Sequence, residues 1–425
     1  MTATPTFTVD RDRAVALLRR AIGCASVTGN EAGFATMLAD ALRESGVDAV
    51  TTSDFLPGRP NVRGIRKGTG GGRRLLLVGH TDVVHVRGWR ERWSGTERGD
   101  PFGAAIVDGE IWGRGAADLK AGICTAIEAL RVLDDAGIVL AGDVEFAFIG
   151  DEESGEPGTG VSAGMKALAP LIEAGDFPRP DFAVYVEPTT LDVYAAQIGF
   201  FITEIAVTGR TSYFGVPELG ADALKASHAI LSALWDHSAD LESRGDHPLV
   251  GKSFLLVTAI EGGGLVAVPE RCRLSLIRKL RPGEDLTTAR DEIEAVVRGA
   301  IEDPDIHVAF AYPAGRDHAI GGTAMETDPA SEGVTILADA IRAVRPDRGR
   351  IAGAPYWSEA SFLDALDIPA VYFAPGDIRI CHSLEERVSI EEYLDGIAAL
   401  AAFAARYCGV ANQGKIPNEE REESQ

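Results

Sequence analysis

Cysteine is scarce in this chain, and the few cysteines are not arranged in pairs. The 425 residues include five cysteines and no Cys-x-x-Cys motif, and an odd number of thiols argues against a disulfide framework. Long apolar runs are missing as well, since no stretch reaches the length that crosses a membrane. The first residues also lack the basic segment and apolar core of a secretory signal. We therefore expect reduced thiols, no membrane association and a cytoplasmic location.

Basic residues are also few relative to acidic ones. Lys and Arg number 41 against 64 Asp and Glu, which gives a formal net charge of -23 at pH 7. Nucleic acid and anionic membranes both need a basic face on their partner, so neither is expected to bind. The excess of acid is typical of a well-solvated surface. The length exceeds that of one ordinary hydrophobic core, which favours two domains.

Apolar, strand-like segments recur along the chain, and histidines or carboxylates follow them. Such segments are typical of central strands in a parallel sheet, and open α/β sheets carry their sites beyond the carboxyl ends of these strands. The residues that follow these segments, or that begin a helix after one, are His80, Asp82, Asp118, Glu152, Glu153, Glu187 and His382. We expect them to gather at one edge of the sheet.

Five of these residues have the types that bind zinc-like ions. Imidazole and carboxylate ligands without thiolate suit one or two divalent ions, with zinc favoured and cobalt or manganese as alternatives. Two adjacent ions need a bridging ligand, and Asp118 is the expected bridge because each carboxylate oxygen can face a different ion. One ion would then take His80 and Glu187, and the other Glu153 and His382.

Two further residues are assigned to catalysis. Asp82 lies two residues beyond His80 and is expected to orient its ring by accepting the second ring N–H. Glu152 is free of metal-binding duty and is expected to take a proton from a water that the ions have activated. The predicted chemistry is hydrolysis of an amide. A single histidine at a strand end is often structural, and an acidic pair is often solvated surface, but five ligand types in this pattern favour a site.

The order of elements predicts an α/β fold with an insertion. Residues 1–195 alternate strands and helices as in a doubly wound α/β layer, and this pattern resumes at 314–411. Between them, residues 196–313 give the order strand, helix, strand, strand, helix, strand, which is the ferredoxin-like α+β arrangement. The run Ser389-Ile390-Glu391-Glu392 is a capping box for the last helix. The charged tail at 412–425 is expected to be disordered.

Five motifs together resemble those of the M20 metallopeptidases, a group that includes acetylornithine deacetylase, succinyl-diaminopimelate desuccinylase, aminoacylase and glutamate carboxypeptidase. The motifs are GHTDVV at 79–84, GRGAADLKAG at 113–122, GDEESG at 150–155, VEPT at 186–189 and CHSLEERV at 381–388. The resemblance implies a hydrolase with two metal ions, a catalytic domain with a mixed sheet, and an inserted lid domain that forms a homodimer interface. The roles assigned above agree with those that the family pattern implies. Glu187, in place of an aspartate, is more similar to the deacetylase and desuccinylase branch.

The lid segment departs from the family pattern. In the family a histidine after the Gly209-Arg210 turn reaches across the dimer to the substrate's carbonyl oxygen, and here Tyr213 stands in that place. Its hydroxyl can still donate a hydrogen bond to an oxyanion. An asparagine expected shortly before Val268-Pro269 is absent. The lid arginine of the family is matched by Arg278, which could hold a substrate carboxylate in a bidentate fork, with a surface or structural ion pair as the alternative.

The expected function is hydrolysis of an N-acyl amino acid, or a related small amide that carries a carboxylate. A dipeptidase or carboxypeptidase with the same site is the alternative among enzymes, and an inactive metal-binding scaffold is the alternative outside them. Glu152 favours turnover, because it has no duty as a ligand and is nevertheless retained. Gly376, on the loop that leads to His382, is expected to let backbone approach the substrate, although a plain turn would also explain it.

Overall fold

The computed structural model describes residues 7–154 and 158–411, so the predicted disordered tail at 412–425 lies outside the described residues. The helices are α1 (Arg11–Gly23), α2 (Ala32–Glu44), α3 (Trp89–Arg92), α4 (Ala121–Asp135), α5 (Ala163–Ala174), α6 (Ala223–Ser243), α7 (Leu286–Gly299), α8 (Glu332–Val344), α9 (Ala360–Asp364) and α10 (Ile390–Cys408).

The strands fall into three sheets. They are β1 (Thr51–Leu56), β2 (Arg59–Arg66), β3 (Leu75–His80), β4 (Ala105–Val107), β5 (Glu110–Trp112), β6 (Val144–Ile149), β7 (Phe182–Tyr185), β8 (Val193–Gln197), β9 (Gly199–Thr208), β10 (Phe254–Gly262), β11 (Arg271–Leu280), β12 (His307–Ala311), β13 (Gly321–Gly322), β14 (Met325–Glu326), β15 (Ile351–Ala354), β16 (Ala370–Tyr372) and β17 (Arg387–Ser389).

The large sheet is mixed and runs in the order β1-β2-β6-β3-β7-β16-β8-β14, with β15 paired to β8. Its four middle strands, β6, β3, β7 and β16, are parallel, whereas β2 is antiparallel to β6. Every residue of β3 and β6 is buried, as their apolar sequences predict for strands covered on both faces. Helix α10 packs against both α4 and α8 beside this sheet.

The smaller sheet is antiparallel and has its own core. Its order is β10-β11-β9-β12, with β13 also paired to β9, and α6 and α7 pack against each other on it. Phe201, Leu274 and Ile293 belong to a hydrophobic cluster separate from that of the large sheet. The order β9-α6-β10-β11-α7-β12 confirms the predicted ferredoxin-like insertion in an α/β fold.

The chain leaves and re-enters the large sheet on paired strands. Strand β8 ends at Gln197, and β14 returns beside it with Met325 paired to Gln197. The short strand β13, which lies beyond residue 313, still pairs with β9 of the smaller sheet. The smaller sheet therefore includes residues up to 322. Its last strand consists of two glycines and shows no apolar pattern in the sequence.

Side chains cap the starts of the first and last helices, the last one at the predicted Ser389. The Asp10 side chain accepts a hydrogen bond from the Arg13 amide at the start of α1, and Ser389 accepts one from the Glu392 amide at the start of α10. No helix within the described residues is long and apolar enough to span a membrane.

Candidate metal centre

Neighbouring parallel strands place most of the candidate site. His80 is the last residue of β3, Glu152 and Glu153 follow β6, and Glu187 follows β7. Because β6, β3 and β7 are adjacent and parallel, their carboxyl ends meet at one edge of the sheet. Asp118 lies in a turn, residues 116–120, that leads into α4, while His382 lies on the loop between β16 and β17. The predicted residues are therefore brought together.

The Asp118 carboxylate lies between the two histidines. Its Oδ1 is 3.2 Å from Nε2 of His80, and its Oδ2 is 3.0 Å from Nε2 of His382. Glu187 stands on the first side, with Oε1 3.6 Å from Nε2 of His80, and Glu153 on the second, with Oε1 3.0 Å from Nε2 of His382. The ligand atoms of His80, Asp118 and Glu153 all lie within 4.8 Å of one another. Two groups of donors thus share one carboxylate.

The charges of this cluster fit divalent cations. Asp118, Glu153 and Glu187 are buried, and within the described chain their ion pairs are with histidines. Burial raises the pKa of Glu153 to about 8 and that of Glu187 well above its usual range. The desolvation cost on the imidazole of His382 is outweighed by its bonds to Asp118 and Glu153, which raise its pKa to about 11. The two glutamates hold protons because burial leaves their charge without enough positive charge nearby, and divalent ions would supply that charge to the carboxylate and imidazole donors.

Asp82 makes contacts that differ from those predicted. Nδ1 of His80 lies 2.9 Å from the main-chain oxygen of Asp82 but 3.8 Å from its Oδ1, so the carbonyl accepts the second ring N–H. The carboxylate instead accepts hydrogen bonds from the Thr28 hydroxyl and from the amides of Glu152 and Glu153, at 3.0, 3.2 and 2.9 Å. The reason is the sheet order, since the loop after β6 lies directly beside the loop after β3. The ring is still fixed with Nε2 facing the cluster.

Asp151 is a site residue that the sequence reasoning missed. It has a φ of 74°, and its carboxylate accepts hydrogen bonds from the amides of residues 160, 161 and 163. Arg59 adds an ion pair to Asp151 at 2.8 Å and a hydrogen bond from Nε to Glu31 at 2.9 Å. These contacts fix the loop that carries Glu152 and Glu153. Asp151 stands in a run of three acids, so residue type alone did not separate it from its neighbours.

Ser358 is a second missed residue, and it holds Glu187. Its hydroxyl donates a hydrogen bond to Oε1 of Glu187 at 2.8 Å, while its amide donates to the side chain of Gln197 at 3.2 Å. Ser358 precedes α9 and carries no motif that marks it.

The three predicted substrate-binding residues are dispersed. Tyr213 lies on a loop of the smaller-sheet region, 64% exposed and packed on Phe214 at 4.5 Å between ring centroids. Arg278 is buried in β11 and is ion-paired with Glu284 at 2.9 Å. This contact matches the structural ion pair that was the alternative to binding a substrate carboxylate. Gly376 has a φ of 113°, and a Cβ there would lie 3.0 Å from Ala117 and 3.1 Å from Pro188. Of the three residues, Gly376 therefore lies against the chain beside two candidate ligands, since Ala117 precedes Asp118 and Pro188 follows Glu187.

The sheet and the cluster at its edge define a class, the metal-dependent hydrolases that act on amide bonds. The family model described as peptidase family M20/M25/M40 matches residues 76–406, and the chain belongs to this family. The predicted family membership and enzyme class are thereby confirmed.

Relatives of known function agree with this assignment, and a solved structure shares the fold. The chain is 26% identical to N-formyl-4-amino-5-aminomethyl-2-methylpyrimidine deformylase of Bacillus subtilis over 89% of this chain and 90% of the relative. It is 30% identical to succinyl-diaminopimelate desuccinylase of Gluconacetobacter diazotrophicus over 93% and 97% of the two chains. An M20 family metallo-carboxypeptidase from Sulfolobus solfataricus superposes with a TM-score of 0.73 at 17% identity, covering 93% of this chain and 99% of that one.

Proposed function

We propose that the protein is a two-metal hydrolase that removes the acyl group from an N-acyl amino acid or a related small amide. The observation that carries this proposal is the shared Asp118 carboxylate, whose two oxygens lie 3.2 and 3.0 Å from the Nε2 atoms of two different histidines. His80 and Glu187 would hold one ion, and Glu153 and His382 the other, with Asp118 common to both. The donor set favours zinc, with cobalt or manganese as alternatives. Such ions, when bound, would lower the pKa of a water molecule and polarise the carbonyl of the substrate.

Glu152 is the proposed general base. Burial raises the pKa of its carboxyl to about 7, which suits a group that must accept a proton and release it again near neutral pH. Its main-chain amide is held by Asp82, so the residue has a fixed place beside the cluster. In the proposed reaction Glu152 takes a proton from the attacking water and delivers it to the departing nitrogen. The products are a carboxylic acid and an amine, and the acid then passes its remaining proton to the amine.

The proposed substrate is a small amide that carries a carboxylate. Two relatives, a deformylase and a desuccinylase, support removal of an acyl group from nitrogen, while the carboxylate is proposed from Arg278. Tyr213 is proposed as a hydrogen-bond donor to the reacting carbonyl, since its side chain is exposed and free to approach a ligand. Arg278 is proposed as the carboxylate partner, on the condition that Glu284 gives way, because Glu284 holds it in this structure.

A homodimer through the inserted smaller sheet is also proposed. Strand β10 is an edge of that sheet, since it pairs with β11 alone among the described strands. Leu256 and Ile260 on β10 are about half exposed, and Trp235 on α6 is exposed to a similar extent. An open strand edge with apolar side chains is a surface that proteins usually cover.

The substitution Glu152→Gln tests the assignment of the base. We expect the variant to bind the same number of metal ions as the wild type and to lose turnover by about 100- to 10,000-fold, because only the proton acceptor is removed. Substrates would be N-formyl, N-acetyl, N-succinyl and N-carbamoyl amino acids together with dipeptides, each assayed with added zinc, cobalt or manganese.

The control for this experiment is Glu173→Gln, an exposed change of the same type on α5 that should leave turnover unaltered. Turnover retained in Glu152→Gln would refute the role of Glu152. Cleavage of dipeptides alone would replace the deacylase proposal with a peptidase, and a wild-type protein that binds no metal would refute the two-metal site.

A further inference from the structure

We propose that Arg114 and Glu386 are positioning residues that hold Asp118 and His382 at a fixed separation, so that the ion held by Glu153 and His382 depends on them. This inference rests on the proposed two-metal site. Neither residue touches the cluster with its own side chain in the way a ligand would, and both are buried. Their contacts run from the turn that carries Asp118 to the loop that carries His382.

Glu386 fixes the main chain at Asp118. Its Oε1 accepts hydrogen bonds from the amides of Ala117 and Asp118, at 3.2 and 3.1 Å. Its main-chain oxygen also accepts a hydrogen bond from the Gly113 amide at 3.2 Å. A carboxylate that accepts two adjacent amides sets the orientation of that peptide segment. The position of the shared carboxylate therefore depends on a residue four positions beyond His382.

Arg114 fixes the loop at His382. One nitrogen of its guanidinium, Nη1, is paired with Oε2 of Glu386, and the other, Nη2, donates to the main-chain oxygen of His382 at 3.4 Å. The planar fork of arginine can make both contacts together, which a lysine ammonium cannot do in the same geometry. The central carbon of the Arg114 guanidinium lies 5.5 Å from the centroid of the Trp89 ring, and this contact helps to hold the arginine in place.

His382 needs this outside support more than the other candidate ligands do. Its side chain is 55% exposed, and its φ of 62° is rare for a residue other than glycine. His80, by contrast, is the buried last residue of β3, and Glu187 follows β7 and is held by Ser358. We therefore expect the His80 and Glu187 side of the cluster to tolerate changes at Arg114.

A second anchor shows how the loop is built. Trp93 donates a hydrogen bond from its indole to the main-chain oxygen of Leu384 at 2.6 Å, so the segment around α3 holds the loop two residues past His382. Trp93 reaches no atom of the Asp118 turn among its described contacts. The Arg114–Glu386 pair, by contrast, bonds to the main chain of both the Asp118 turn and His382, in addition to the direct approach of His382 Nε2 to Asp118 Oδ2.

The test is metal binding by Arg114→Lys, measured by titrating metal-free protein with zinc in the presence of a competing chelator. Wild-type protein should take up two ions. The variant should bind the first with wild-type affinity and the second about 10- to 100-fold more weakly, the range typical for loss of a residue that orients a ligand. Glu386→Gln, which keeps one acceptor oxygen but removes the charge that pairs with Arg114, should show the same selective loss.

Arg131→Lys is the matched control, because Arg131 is another largely buried arginine paired with a buried carboxylate, Glu128 on α4. It should leave both affinities unchanged. Thermal unfolding of the metal-free variants shows that each is folded, and if Arg114→Lys does not fold, Glu386→Gln decides. Two ions bound with wild-type affinity in Arg114→Lys, or equal weakening of both ions, would overturn the inference. A wild-type protein without two ions would instead refute the proposed function.

Discussion

Asp82→Asn distinguishes two roles for a residue beside the proposed ligands. If the carboxylate oriented the His80 ring, the substitution would weaken metal binding. The structure gives that task to the main-chain oxygen of residue 82, at 2.9 Å from Nδ1, which asparagine retains. We therefore expect Asp82→Asn to keep its metal ions.

The substitution should instead disturb the position of Glu152. The side-chain oxygen of asparagine can replace Oδ2, which accepts from Thr28 and Glu153. Its NH₂ group would then face the Glu152 amide in place of Oδ1, so one buried donor loses its acceptor. Such a loss costs about 1–3 kcal/mol of unfolding free energy. A shift of roughly 1 Å in the base can lower kcat about 100-fold.

Three measurements on the same protein check this prediction: metal content, urea unfolding and kcat. Thr28→Val is the control, because it removes one donor to Oδ2 and leaves the Glu152 contact in place. It should lower kcat much less. The reasoning is refuted if Asp82→Asn loses a metal ion, or if it keeps both its stability and its turnover.

Two further predictions concern stability and assembly. Glu145 on β6 is buried, and neither of its carboxylate oxygens has a hydrogen-bond partner in the described chain; burial raises the pKa of this carboxyl from 4.5 to about 8. Because the folded state holds the proton more tightly, the unfolding free energy should fall as pH rises across that window. Glu145→Gln should remove this pH dependence and raise the unfolding free energy by as much as about 3 kcal/mol at pH 7, measured by urea unfolding. A variant with the same pH slope as the wild type would contradict this. Ile260→Lys, on the half-exposed edge strand β10, should convert a dimer into a monomer in light scattering, and a persistent dimer would refute that interface.

Most of the fold could be predicted because its strands carry strong apolar patterns. The apolar run Val144–Ile149 coincides with β6, and the order of the six main elements of the smaller sheet, β9 to β12 with α6 and α7, was predicted. The elements that were missed are short or carry no pattern. Strand β8 lies where the composition changes, and β13 consists of two glycines whose pairing with β9 is decided by tertiary contacts.

The candidate ligands could be found because their residue types are informative at strand ends, while the residues that support them could not. The role of the Asp82 carboxylate depends on which loop lies beside it, and this follows from the strand order β6-β3-β7 rather than from spacing along the chain. Arg114 and Glu386 are 272 positions apart, so their pairing leaves no local signal. The buried ion pair of Arg278 with Glu284 likewise depends on packing inside the smaller sheet.

The place of the inserted sheet has a consequence for biosynthesis. Four of the five candidate ligands precede the insertion, and His382 follows it. During translation the ligands of the first group, around His80 and Glu187, are made before the inserted region, but Ser358, which holds Glu187, is made after it. The second group stays incomplete until nearly the whole chain has left the ribosome. A nascent or truncated chain would thus hold at most one ion, and the proposed reaction would begin only after synthesis is almost finished.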